Sequence, residues 1–176
     1  MKYLIFLTLL FDIVFANVDT FIKFEAKIFP KIVLFDKDFK SKLIDNRVIL
    51  NIIYCDENRK LAHLFKKNVF KKYGDKIKNY DLVLNLIEDV DLELDKKATG
   101  VVFLCDFKGI DEKIKFYNEN RIITFGLDES FLEKGALISM YIGKRVKPFI
   151  NKKIISEYKI NFLFSFTKIS KFYIKD

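Results

Sequence analysis

The sequence predicts a layered α/β fold: a mostly parallel sheet flanked by helices, closed by a C-terminal β-hairpin and a long C-terminal helix. Three observations predict it. Arg47–Tyr54 and Gly100–Cys105 are short continuous apolar runs, the pattern of parallel strands buried on both faces. Segments with apolar residues at helical spacing follow such runs, giving a β-α-β-α-β alternation. With 51% hydrophobic and 32% charged residues in 176, the chain has material for one packed interior and a solvated exterior.

The first sixteen residues, MKYLIFLTLLFDIVFA, read as a signal peptide. Lys2 precedes the apolar run Tyr3–Phe11, and Val14-Phe15-Ala16 supplies a small-residue cleavage pattern, so the mature chain starts near Asn17. Asp12 interrupts the run, which falls short of the about 20 residues a spanning helix needs. The expected organisation is a signal peptide over 1–16 and a single α/β domain over 17–176, exported to the periplasm.

From Asp19 to Phe35, Phe21, Phe24, Ile28, Phe29, Ile32 and Phe35 recur at helical intervals, and Pro30 predicts a break near Phe29. Lys37–Asn46 is a polar loop. The strand Arg47–Tyr54 runs into Cys55-Asp56-Glu57-Asn58, a helix cap, and Leu61, Leu64, Phe65 and Val69 carry a helix to Tyr73, stopped by Gly74. Tyr80–Ile87 alternates enough for a half-covered strand and leads to the acidic loop Glu88–Asp95. Gly100–Cys105 is the central strand. Asp111 is placed to cap a helix through Asn118, and Arg121–Phe125 is a strand ended by Gly126.

Asp128-Glu129-Ser130 starts a single helical turn. Ala136–Ile142 and Arg145–Ile150 then form a hairpin on the sheet edge. Asn151 caps a last helix to about Lys171, with Ile155, Tyr158, Phe162, Phe166 and Ile169 along one face and Leu163 and Phe164 widening it.

The chemistry-bearing residue types form no recognisable constellation. His63 is the one histidine, on a predicted amphipathic helix, so no zinc set is available. Asp89, Asp91, Glu93 and Asp95 lack the glycine and terminal glutamate of a calcium loop. Six scattered glycines make neither GxGxxG nor a phosphate-binding P-loop, and Ser130 has no Gly-x-Ser-x-Gly context. The expectation is a protein without catalytic, cofactor or metal sites. Its net charge is +8, carried mostly by lysines spread along the chain with only Arg47, Arg59, Arg121 and Arg145 as arginines, which argues against nucleic acid.

Cys55 and Cys105 each close a predicted parallel strand, and a 2-1-3 strand order brings the two sulfurs together in an oxidising compartment. The alternative is two free buried thiols. Phe162, Leu163, Phe164 and Phe166 have two readings as well: a partner surface, or a cover for the sheet.

The run ITFGLDESFLEKGALISMYIGKRVKPFINKKIISEYKINFLFSF, Ile122–Phe166, resembles the closing segment of YfiR-like periplasmic proteins, with Phe131, Gly135, Ile138, Ile150 and Asn151 at matching positions. Lys23–Phe35, KFEAKIFPKIVLF, is similar to that family's opening helix. The resemblance implies a non-enzymatic periplasmic regulator that docks on a membrane diguanylate cyclase and restrains cyclic di-GMP signalling, with disulfides, a homodimer, and membrane contact only through a partner. The other role considered is a scaffold in an envelope assembly such as a flagellar-motor-associated structure.

Overall fold

A computed structural model describes residues 20–143 and 145–174. The predicted signal peptide, 1–16, lies outside the described residues. Eight strands form one sheet: β1 (Arg47–Tyr54), β2 (Lys76–Ile77), β3 (Tyr80–Glu88), β4 (Gly100–Phe103), β5 (Ile123–Gly126), β6 (Ile138–Tyr141), β7 (Lys147–Asn151) and β8 (Lys171–Tyr173), in the order β2-β3-β1-β4-β5-β6-β7-β8. The helices are α1 (residues 20–33), α2 (Arg59–Tyr73), α3 (Ile110–Glu119), α4 (Ser130–Glu133), α5 (Lys152–Tyr158) and α6 (Phe164–Ile169). The α/β class with a mostly parallel sheet, a C-terminal hairpin and C-terminal helix is as the sequence predicts.

β1 sits at the centre because its apolar run is continuous: every residue from Val48 to Tyr54 is buried. It pairs in parallel with β3 on one side and β4 on the other, the predicted 2-1-3 order. Alternate residues point to opposite faces. Leu50, Ile52, Val102 and Phe125 meet α1, α2 and the C-terminal segment in one core, whereas Ile53, Val101 and Phe103 meet α3 and α4 in another. Burial of this kind contributes roughly 25 cal/mol per Å² of apolar area.

A buried polar network fastens the crossover from β5 to β6. Thr124 Oγ1 donates to Asn118 Oδ1 at 2.8 Å and accepts from the Leu137 backbone N–H at 2.9 Å. Asn118 Nδ2 donates to the Gly135 carbonyl at 2.8 Å, so backbone groups in this short connection keep partners away from water. Asn151 caps α5 as predicted, accepting from the Ile154 N–H, and its Nδ2 donates to Leu132 O at 2.9 Å. Gly74 ends α2 with φ +66, also as predicted.

Several local expectations are corrected. α1 does not break near Phe29; it continues through Pro30 to residue 33. The proline forfeits one helix hydrogen bond, but Phe29, Ile32 and Val33 on both sides of it are fully packed and hold the turn together. The buried face of α1 is Ile22, Ala26, Phe29, Ile32 and Val33, and Phe24 lies outside it, 37% exposed.

The predicted helix over 151–171 is two short ones. Lys159 adopts a left-handed conformation at φ +54 and ends α5, and residues 160–163 are non-helical before α6. Lys171 belongs to β8, so the β6–β7 hairpin is antiparallel as expected but is not the sheet edge. Gly109, not Asp111, occupies the cap position of α3, and Glu88 belongs to β3, not to the acidic loop.

Candidate interaction surface

The C-terminal rim of a parallel sheet is where open α/β folds place ligands. Here that rim is largely tied to itself. The register Ile53↔Phe103 sets β1 and β4 level, so Cys55 and Cys105, each two residues further on, face one another. They are disulfide-bonded, with Cα atoms 5.9 Å apart, and both are buried. The free-thiol alternative is thereby set aside.

Beside the disulfide, Arg59 Nη2 contacts Asp56 Oδ1 at 3.0 Å and Glu88 Oε2 at 2.8 Å, and its guanidinium lies 5.6 Å from the Tyr54 ring centroid. The hydrogen bond to Asp56 and then the charge of Glu88 raise the Arg59 pKa. Lys134 Nζ pairs with Asp106 Oδ2 at 3.0 Å across a cavity of about 510 Å³ at the start of α3; the hydrogen bond to Asp106 raises its pKa. His63 is exposed on α2. Among the described residues no group of three or more His, Cys, Asp or Glu is placed to hold a metal ion.

Glu25 was not singled out in the sequence, because a glutamate in an amphipathic helix reads as a solvent-facing residue. It is fully buried on α1, and among the described residues neither carboxylate oxygen has a hydrogen-bond partner. Burial, with Asp128 adding like charge, holds its carboxyl well above the ordinary range.

The four aromatic and aliphatic residues of the C-terminal segment separate into two pairs. Phe162 and Phe166 are buried, 5.0 Å apart, and Phe166 stacks on Phe35 at 5.1 Å. The backbone fixes this arrangement: Lys37 N–H donates to Asn161 O and Leu163 N–H to Phe35 O, each at 2.8 Å, stitching residues 161–163 to the end of α1. These two residues cover the sheet. Leu163 and Phe164 point away, 41% and 77% exposed.

Further exposed apolar side chains stand at Ile169 (56%) at the end of α6, Phe172 in β8 and Ile174 just beyond it. Sequence reasoning missed the last two because they lie beyond the predicted helix, which ends at about Lys171, and β8 is too short to give an alternation. An apolar surface of this kind on a charged protein is the usual mark of an interaction site.

No family model and no curated protein matches the chain. Among solved structures, the chain is similar to the ABC domain in complex with L-Trp from Streptococcus pneumoniae, at 14% identity and a TM-score of 0.55, over 82% of this chain and 61% of that one. It is also similar to a conserved domain protein from Vibrio cholerae O1 biovar eltor, at 16% identity and a TM-score of 0.53, over 77% of this chain and 57% of that one. The chain therefore spans about three fifths of the length of either structure. At these identities the likeness establishes the α/β fold alone.

Proposed function

We propose that this protein is an exported, non-enzymatic binding module that regulates an envelope partner by direct contact. The observation that carries the reading is the exposed apolar surface of the C-terminal segment, led by Phe164 and Leu163, standing beside Phe162 and Phe166, which anchor it to the core. A segment fixed from below and apolar above presents a preorganised surface, which lowers the cost of binding.

The disulfide supports a working compartment that is oxidising, and among the described residues no helix is long and apolar enough to cross a membrane. The periplasm is that compartment in the proposal. The resemblance of Ile122–Phe166 to YfiR-like proteins points to the periplasmic domain of a membrane diguanylate cyclase as the partner, held in its inactive state by the bound module.

Co-purification from the native envelope fraction tests this. Stoichiometric recovery of a diguanylate cyclase with the wild type, and its loss with the Leu163→Glu/Phe164→Glu variant, is the expected result. Recovery of a large envelope machine in its place would assign the module to a scaffold and reject the regulatory role.

A further inference from the structure

On the α1 side of the sheet, α1, α6 and the start of β7 enclose an open groove of about 610 Å³. Its floor is apolar, formed by Ile28, Ile32, Phe35, Pro148 and Phe166. Its rims carry five cations, Lys27 and Lys31 from α1 and Arg145, Lys147 and Lys168 opposite. Among the described residues no carboxylate lines it and none of the five makes an ion pair. An adjoining recess adds Lys171 and again no carboxylate. The groove is therefore complementary to a segment that is anionic at its edges and apolar along its middle. Its apolar floor is recessed between the charged rims, which suits a protruding segment better than a flat lipid surface.

The chain itself contains such a segment. Between β3 and β4, residues 89–95 read DVDLELD. Leu92 is buried and ties the loop down, while Val90 and Leu94, four positions apart, are 81% and 43% exposed. Glu93 and Asp95 are exposed, and Asp89 is partly so. Lys96 and Lys97 follow but leave the stretch net negative.

The loop cannot reach the groove of its own copy. It joins β3 to β4, which are five and three strands from β7 in the sheet order, about 24 and 14 Å at the usual spacing, and Asp95 lies near Tyr117 of α3, on the face opposite α1.

We infer that the groove receives the 89–95 loop of a second copy of this chain. Val90 and Leu94 rest on the apolar floor, and the loop carboxylates meet the lysine and arginine rims. Because donor and acceptor surfaces are different patches of the molecule, the contact is head-to-tail and propagates into a ring or an open chain, not a self-complementary two-fold pair. Leu163 and Phe164 do not line the groove, although Ile169 does, so substitutions at Leu163 and Phe164 separate this contact from the partner surface proposed above.

Sedimentation of the purified protein at rising concentration tests this. The wild type is expected to exceed the mass of one chain and of two, and to return to one chain as salt rises from about 50 to about 500 mM, where exposed charges are screened. Lys31→Gln/Lys168→Gln, which weakens the groove, and Asp89→Asn/Glu93→Gln, which weakens the loop, are each expected to remain single chains with unchanged circular dichroism. Mixed together they are expected to form a one-to-one pair, since each retains the half that the other lost.

A wild type that stays monomeric, or folded variants that associate like it, overturns the inference. So does binding of anionic vesicles that needs Lys31 and Lys168 while the wild type remains a single chain, which would assign the groove to lipid.

Discussion

The Phe29 ring of α1 stacks on the Phe125 ring of β5 with centroids 4.6 Å apart and planes 20° from parallel. This contact ties the opening helix to the middle of the sheet, and Phe29 also meets Phe65 of α2 at 6.3 Å. Phe29→Ala is expected to cost about 3–5 kcal/mol of folding stability, the range for deleting a buried aromatic ring. Denaturant melts read by circular dichroism check it; a loss below about 1 kcal/mol would mean that α1 is not part of the cooperative core.

Gly126, at the end of β5, packs directly under Phe131 of α4: a Cβ built there would lie 2.0 Å from Phe131 Cβ. Gly126→Ala is therefore expected to displace α4 and destabilise the protein by at least about 1–3 kcal/mol, as overpacking does. The Gly126→Ala/Phe131→Gly pair removes the clashing Cβ, so in a double-mutant cycle the two losses are expected to be strongly non-additive.

The Cys55–Cys105 bond spans 50 residues, which on the loop-entropy model corresponds to about 4 kcal/mol. Cys55→Ser/Cys105→Ser is expected to lose up to that amount, and reductant is expected to destabilise the wild type and leave the double variant unchanged.

Glu25 sets a pH dependence whose sign follows from burial. Its folded pKa is raised, so the folded state holds a proton that the unfolded state releases near 4.5. Its stabilising contribution is full below that value and is lost as pH rises through the folded pKa. Glu25→Gln, which cannot ionise, is expected to flatten this decline and to be more stable than wild type on the alkaline side. Parallel melts from pH 4 to pH 9 read it out; an identical slope in both proteins would contradict the assignment.

The two pairs in the C-terminal segment are expected to respond differently. Phe166→Ala is expected to cost about 3–5 kcal/mol. Leu163→Glu and Phe164→Glu are expected to stay within about 0.5 kcal/mol of wild type, as surface changes do.

What could be read in the sequence was what repeats over several residues. The runs at Arg47–Tyr54 and Gly100–Cys105 announced buried parallel strands, and the meeting of Cys55 and Cys105 was conditional on the first and third of the predicted strands being neighbours, as β1 and β4 are. β2 and β8 are two and three residues long, too short for an alternation to register. The break at Lys159 was invisible because a left-handed lysine carries no local signal of the kind glycine gives.

Periodicity placed Phe162, Leu163, Phe164 and Phe166 on one broad helical face. The non-helical entry at 160–163 and the backbone pairing to Phe35 divide them into a buried and an exposed pair. The basic groove was equally illegible, since its rims come from residues 27–31, 145–147 and 168, brought together only by the sheet order.

The account rests on Phe164 and Leu163 touching a partner, and a photo-crosslinking residue at position 164 in cells tests that most directly. The expected result is one dominant adduct with an envelope protein, abolished by Leu163→Glu and absent when the crosslinker is placed at exposed His63 on α2. No adduct at 164, or the same adducts from both positions, would contradict it.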